Sequence, residues 1–151
     1  VFLQAGVGGM AAAAIAGFAK YSSNVPYFIT VEPQDAECVL QSIKNQKPTS
    51  INIQKESIMG GMSCGDVSSL AWEILKHSTN SSISISDDAI APTVALLKQK
   101  EFSNEEIIAG ECGVPGVISL ISAMKDKNIC QKLNLNSQSN VLLIGCEGVT
   151  D

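Results

Sequence analysis

Four short runs of apolar or β-branched residues, near 1–5, 27–31, 82–86 and 141–145, are each bounded by Gly, Pro, Asn or Ser and predict strands. The segments between them have helical spacing. Ala11 to Tyr21 is rich in good helix formers, and Gln34 to Lys44 sets Ala36, Val39, Leu40 and Ile43 on one face. Ser68 to His77 carries Leu70, Ala71, Ile74 and Leu75 in the same pattern, which Asp88 to Lys100 repeats. Asn104 opens a further predicted helix with Glu105 and Glu106 in its first turn, where the dipole favours acids. Gly110-Glu111-Cys112-Gly113 interrupts it, and a helix resumes through Ile118, Ile121 and Met124. Polar stretches at 45–57 and 134–140 read as surface connections. Strands alternating with helices predict an α/β fold of three layers, a mostly parallel sheet covered by helices on both faces, with right-handed crossovers.

Composition narrows the class. The 151 residues, 45% of them hydrophobic, suffice for one globular domain with a continuous core. No apolar run reaches the roughly 18 residues of a membrane span, and the apolar start lacks the flanks of a signal peptide, so a soluble cytoplasmic protein is expected. Five cysteines at long spacings, without a CxxC pair, suit free thiols and neither a zinc site nor a disulfide framework. No metal site is expected. The formal charge is -5 and no basic cluster appears, which excludes a nucleic-acid footprint. All ten basic residues are lysine, so an anionic ligand must be held by backbone N–H groups, hydroxyls or lysine. Val1 already lies inside a strand pattern and the last apolar run ends near residue 151, so the chain reads as a piece of a longer one.

The strongest candidate chemistry follows the first strand. Gly6-Val7-Gly8-Gly9-Met10-Ala11 leads from a strand into a helix, an arrangement that aims backbone N–H groups and a helix dipole at one phosphate. It also fits G-x-G-x-x-A, with Glu32 placed 26 residues after Gly6, near where a dinucleotide fold puts its ribose-binding acid. A phosphate cradle, an NAD-binding turn and a plain tight turn all fit these residues. Asp87 and Asp88 read as caps of the following helix, His77 as a solvated helix end, and Trp72 as core.

Read in order, the glycine turn, Val31-Glu32-Pro33, Met59-Gly60-Gly61-Met62-Ser63-Cys64-Gly65 with Ala71-Trp72-Glu73-Ile74-Leu75 behind it, Gly110-Glu111-Cys112-Gly113 and Gly145-Cys146-Glu147-Gly148 form a series. This series resembles the C-terminal half of the diaminopropionate ammonia-lyases, within the fold-type II pyridoxal-phosphate family that includes threonine dehydratase and tryptophan synthase β. The resemblance covers essentially the whole chain, and it implies residues 1–151 as the C-terminal portion of a cofactor-binding catalytic domain. The N-terminal half and the extreme C-terminus would then lie outside.

The resemblance implies that Gly6, Val7, Gly8, Gly9 and Met10 bind the phosphate of pyridoxal 5'-phosphate through backbone N–H groups, and that Glu32 is a structural strand-end acid. It places Cys146 beside the pyridine nitrogen, where a neutral partner limits the electron sink and favours β-elimination. A small buried thiol is the plainer reading of Cys146. Glu111 falls near the ring side of the cofactor, or is simply an acid in a helix-breaking loop. The family's Schiff-base lysine lies in its N-terminal half, and no lysine here has a setting that would lower its pKa. The implied activity of the whole protein is elimination on 2,3-diaminopropionate to pyruvate and ammonia, in a cytoplasmic homodimer acting on a small amino acid; this chain alone is expected to be inactive. An NAD-binding domain of an oxidoreductase and a non-catalytic fragment of the fold are the alternatives.

Overall fold

The computed structural model describes residues 1–149. Three parallel strands form its sheet in the order β1 (Phe2–Gln4), β2 (Ile29–Pro33), β3 (Ser81–Ile85). Phe2, Leu3 and Gln4 stand opposite Ile29, Thr30 and Val31, and β2 continues in register against β3 from Ile29↔Ser81 to Pro33↔Ile85. As the central strand, β2 is buried along its whole length, and its two polar members, Thr30 and Glu32, are both hydrogen-bonded.

Strand side chains alternate between two cores. Phe2, Ile29, Val31 and Ile85 face Val114 and Ile118, packed by α4 (Ile90–Lys98) and α5 (Pro115–Lys125), with Leu133 joining the core just after the exposed α6 (Lys127–Lys132). Leu3, Ala5 and Phe28 face the opposite way, against α1 (Gly9–Tyr21), α2 (Cys38–Asn45) and α3 (Ser69–Ser78). The expected three-layer α/β arrangement is therefore present, and it brings the C-terminal ends of β1 and β2 to one rim. In open α/β sheets that rim is where ligands bind.

Three local expectations need correction. The run at 141–145 does not extend as a strand; it meets β1 through a single parallel bridge, Phe2↔Leu143, with Phe2 N donating to Leu142 O at 3.1 Å. Asn104 opens no helix, because residues 101–110 run as bends and coil, with the Ser103 hydroxyl turning back to bond Glu105 O at 2.6 Å. Asp87 and Asp88 do not supply the cap: Ser86 Oγ accepts from Asp88 N in front of a short 3-10 turn, Asp87–Ala89. Asp87 instead fastens the loop at 57–58, accepting from Ser57 Oγ at 2.6 Å and Ile58 N at 3.0 Å. Helix α6 is an addition to the predicted elements, although Asp126 marks its start by accepting from Asn128 N and Ile129 N. Trp72 is buried and His77 is exposed at the end of α3, both as expected.

Candidate functional site

The glycine turn sits between β1 and α1, and each of its carbonyls is held from behind. Gly6 O accepts from the Cys38 thiol at 3.4 Å, Val7 O from Ser68 N at 2.9 Å, and Gly8 O from Ala12 N at 2.9 Å. No peptide here is cis, so in each unit the N–H points opposite to the held carbonyl. Helix α1 begins with no side-chain cap and no acid in its first turn. Its leading N–H groups have no intrahelical acceptor, and the dipole leaves that end partly positive. A bare helix start behind a turn with fixed N–H directions can cradle a single phosphate group.

Two glycines are required by what surrounds them. Gly8 has φ +89°, a left-handed conformation, and a Cβ there would lie 2.6 Å from Leu75 Cδ1 and 3.4 Å from Ala71 Cβ. A Cβ on Gly6 would lie 2.8 Å from Gly61 O and 3.1 Å from Met62 Cα. The Met-Gly-Gly-Met-Ser-Cys-Gly segment and the Ala-Trp-Glu-Ile-Leu helix thus form the mould against which the turn is pressed. Ser68 links the two: its N–H holds Val7 O while its Oγ accepts from Ala71 N at 3.4 Å to start α3.

In front of the turn lies a cavity of about 280 Å³ lined by Gln4, Gly6, Val7, Gly8, Gly9, Met10, Gly61, Met62, Cys112, Cys146 and Glu147. Its volume falls at the lower edge of the ~300–1,000 Å³ usual for small-molecule sites. Six of the seven anticipated residues meet here, the five of the turn and Cys146. The seventh, Glu111, lines a neighbouring cavity of about 230 Å³ with Lys98, Glu106 and Ile108. A larger cavity of about 540 Å³, lined by residues such as Phe102, Ile121, Met124 and Leu143, is almost wholly apolar and offers no set of convergent polar groups.

The far wall is built around the backbone of Cys112. Cys112 O accepts from Gln4 Nε2 at 3.2 Å and from the Cys146 thiol at 3.2 Å, while Cys112 N donates to Glu147 Oε2 at 2.6 Å. Gln4 Nε2 also reaches Ile144 O, which ties the last segment to β1. Sequence reasoning missed Gln4, Cys112 and Glu147 as site residues, although Cys112 and Glu147 flank named positions in their motifs. Burial holds the Cys112 thiol up to about 11 and raises Cys146, so both are neutral thiols near pH 7.

Glu32 is closed to any ligand. It is fully buried and its two oxygens accept from Val39 N and Leu40 N, each at 2.7 Å, at the start of α2. The dinucleotide reading, which needs this acid on a ribose, is overturned. Burial pushes the Glu32 carboxyl up to about 8, against the pull of those two donors. None of the ten lysines lines the cradle, and every one is exposed. Among the described residues no group of His, Cys, Asp and Glu could hold a metal ion, and no helix is long and apolar enough to cross a membrane.

Comparison with known proteins gives the family. The family described as "Pyridoxal-phosphate dependent enzyme" matches residues 1–146. The diaminopropionate ammonia-lyase of Escherichia coli K12 is 33% identical over 156 residues, covering 100% of this chain and 39% of that protein. The crystal structure of the Escherichia coli diaminopropionate ammonia-lyase in complex with an aminoacrylate-PLP azomethine reaction intermediate superposes with a TM-score of 0.84 at 34% identity, over 99% of this chain and 39% of that one. The processed form of threonine deaminase isoform 2 from Solanum lycopersicum, at 15% identity and TM-score 0.77 over 99% of this chain and 40% of its own, shares the fold. The chain therefore spans about two fifths of the length of the relatives it matches.

Proposed function

The chain belongs to the pyridoxal-phosphate-dependent enzyme family, and on that footing we propose that it is the C-terminal portion of the catalytic domain of a 2,3-diaminopropionate ammonia-lyase. The observation that carries this is the cradle: a glycine turn with three carbonyls held from behind, a bare helix start, and a cavity in front that Cys146 also lines. The specificity for diaminopropionate rests on similarity to the Escherichia coli lyase along the whole chain.

The residues present fit the cofactor. The N–H groups of Val7, Gly8, Gly9 and Met10, with the backbone of Gly6, would hold its phosphate by charge-assisted hydrogen bonds. Bound pyridoxal phosphate supplies the electron sink for loss of an α-proton and a β-substituent from an amino acid. The chain's own part is to orient and to tune. A carbonyl oxygen accepts hydrogen bonds and cannot donate, so the thiol hydrogen of Cys146 is committed to Cys112 O. As a neutral thiol Cys146 would offer the pyridine nitrogen no negative charge, and it would donate to that nitrogen only by giving up its bond to Cys112 O. Glu111, behind the wall, would act from the ring side only through the loop that carries Cys112.

Overall, 2,3-diaminopropionate and one water give pyruvate and two ammonia, the β-amino group leaving by elimination and the α-amino nitrogen by hydrolysis. The proton-handling lysine and acids of such a reaction would come from outside this chain, in agreement with the absence of any lysine at the cradle. The reading includes a cytoplasmic homodimer for the full-length protein. Its test is to incubate that protein with pyridoxal phosphate, record the visible band of the bound cofactor, and measure pyruvate and ammonia from 2,3-diaminopropionate. A cofactor band without ammonia release would assign another member of the family; no band would refute the cofactor reading.

A further inference from the structure

We propose that Cys38 is a positioning residue of the phosphate cradle: its thiol grips the Gly6 carbonyl and so fixes the direction of the Val7 N–H. This inference rests on the pyridoxal-phosphate reading of the site. Gly6 C=O and Val7 N–H belong to one planar trans peptide, so they point opposite ways. The carbonyl is drawn to Cys38 Sγ, 3.4 Å away, and Cys38 is not among the residues lining the cavity, whereas Val7 is. Holding the carbonyl on the α2 side therefore turns the N–H toward the ligand side.

Neighbouring peptides are fixed by backbone donors, Ser68 N on Val7 O and Ala12 N on Gly8 O. The Gly6–Val7 peptide is the member of this set held by a side chain. Since a carbonyl cannot donate, the sulfur must carry the hydrogen. Burial pushes the Cys38 thiol up to about 12, so the hydrogen is retained at neutral pH; the Glu32 carboxyl is a second acceptor beside this thiol, and both its oxygens are already engaged by Val39 N and Leu40 N. The thiol itself has little freedom. Cys38 is fully buried as the first residue of α2, and Glu32 clamps the next two N–H groups, at Val39 and Leu40. A strand-end acid thus holds a helix start, the helix start holds a thiol, and the thiol holds a peptide of the cradle.

The test compares affinity for pyridoxal phosphate with that for pyridoxal, which lacks the phosphate, in the full-length protein and its Cys38→Ala, Cys38→Val and Cys38→Ser variants. Alanine removes the donor and leaves space, valine removes it and overfills the site by about one methyl group, and serine keeps a donor. We expect pyridoxal phosphate to bind about fivefold more weakly to the Ala and Val variants with pyridoxal unaffected, and the Ser variant to recover to within about twofold, the scale of one modest hydrogen bond. Equal losses for both ligands, an unchanged ratio in Ala and Val, or a Ser variant no better than Val would overturn the inference. Wild-type protein that binds no pyridoxal phosphate overturns the cofactor reading itself, and the inference with it.

Discussion

Replacing Gly8 by alanine attacks the turn where the fold leaves least room. At φ +89° an L side chain meets its own backbone, a cost of roughly 1–2 kcal/mol. The new Cβ would also sit 2.6 Å from Leu75 Cδ1, and Leu75 is fully buried, so it cannot swing clear without disturbing the core between α1 and α3. Such overpacking costs about 1–3 kcal/mol, while the stiffer unfolded chain returns about 0.4–1 kcal/mol. The net loss is about 3 kcal/mol. With a urea slope of about 2 kcal/mol per molar, the unfolding midpoint drops by about 1.5 M. Gly9→Ala is the internal control, because a Cβ there meets nothing within 4 Å and the residue begins α1. It should unfold at or slightly above the wild-type midpoint, yet bind pyridoxal phosphate more weakly, because the methyl is added to a residue lining the cavity. Equal midpoints for Gly8→Ala and wild type would refute the claim that the mould from residues 60–75 dictates glycine at position 8.

Two further outcomes follow from the hydrogen bonds around the turn. Glu32 is raised from its ordinary 4.5 to about 8, so across that interval the folded chain keeps a proton the unfolded chain has lost. Stability should therefore fall as pH rises from about 4.5 to about 8, by on the order of a few kcal/mol, and urea midpoints for Glu32→Gln should lack this slope. A wild-type midpoint as high at about pH 8.5 as at about pH 5, beyond the change seen in the variant, would show that the two N–H donors outweigh burial. Ser68→Ala removes the cap of α3 and leaves the backbone N–H on Val7 O in place. It should cost about 0.5–1 kcal/mol in denaturant unfolding with pyridoxal phosphate affinity unchanged, and a loss of affinity would assign the hydroxyl a part in the cradle.

Local sequence alone determined the strands at the first three sites, the helices that cover them, and the glycine turn. Those signals are short-range: β-branched runs ended by Pro or Gly, 3.6-residue spacing, and a strand running directly into an alanine-rich helix. It could not tell a dinucleotide turn from a monophosphate cradle, because that choice depends on where Glu32 points. Tertiary structure turns Glu32 inward onto the start of α2 and leaves no oxygen for a ribose. The run at 141–145 carries a strand's composition, but its pairing is non-local, and the sheet accepts only one bridge at Leu143. Asp87 has the chemistry of a cap, yet a loop nearly thirty residues upstream claims its carboxylate. The joining of Gln4, Cys146 and Glu147 around the backbone of Cys112 spans almost the whole length of the chain. Sequence neighbours specify which residues can bend, cap or donate; which of those donors meet is set by packing, since a hydrogen bond between distant residues forms only where two buried layers bring them within reach.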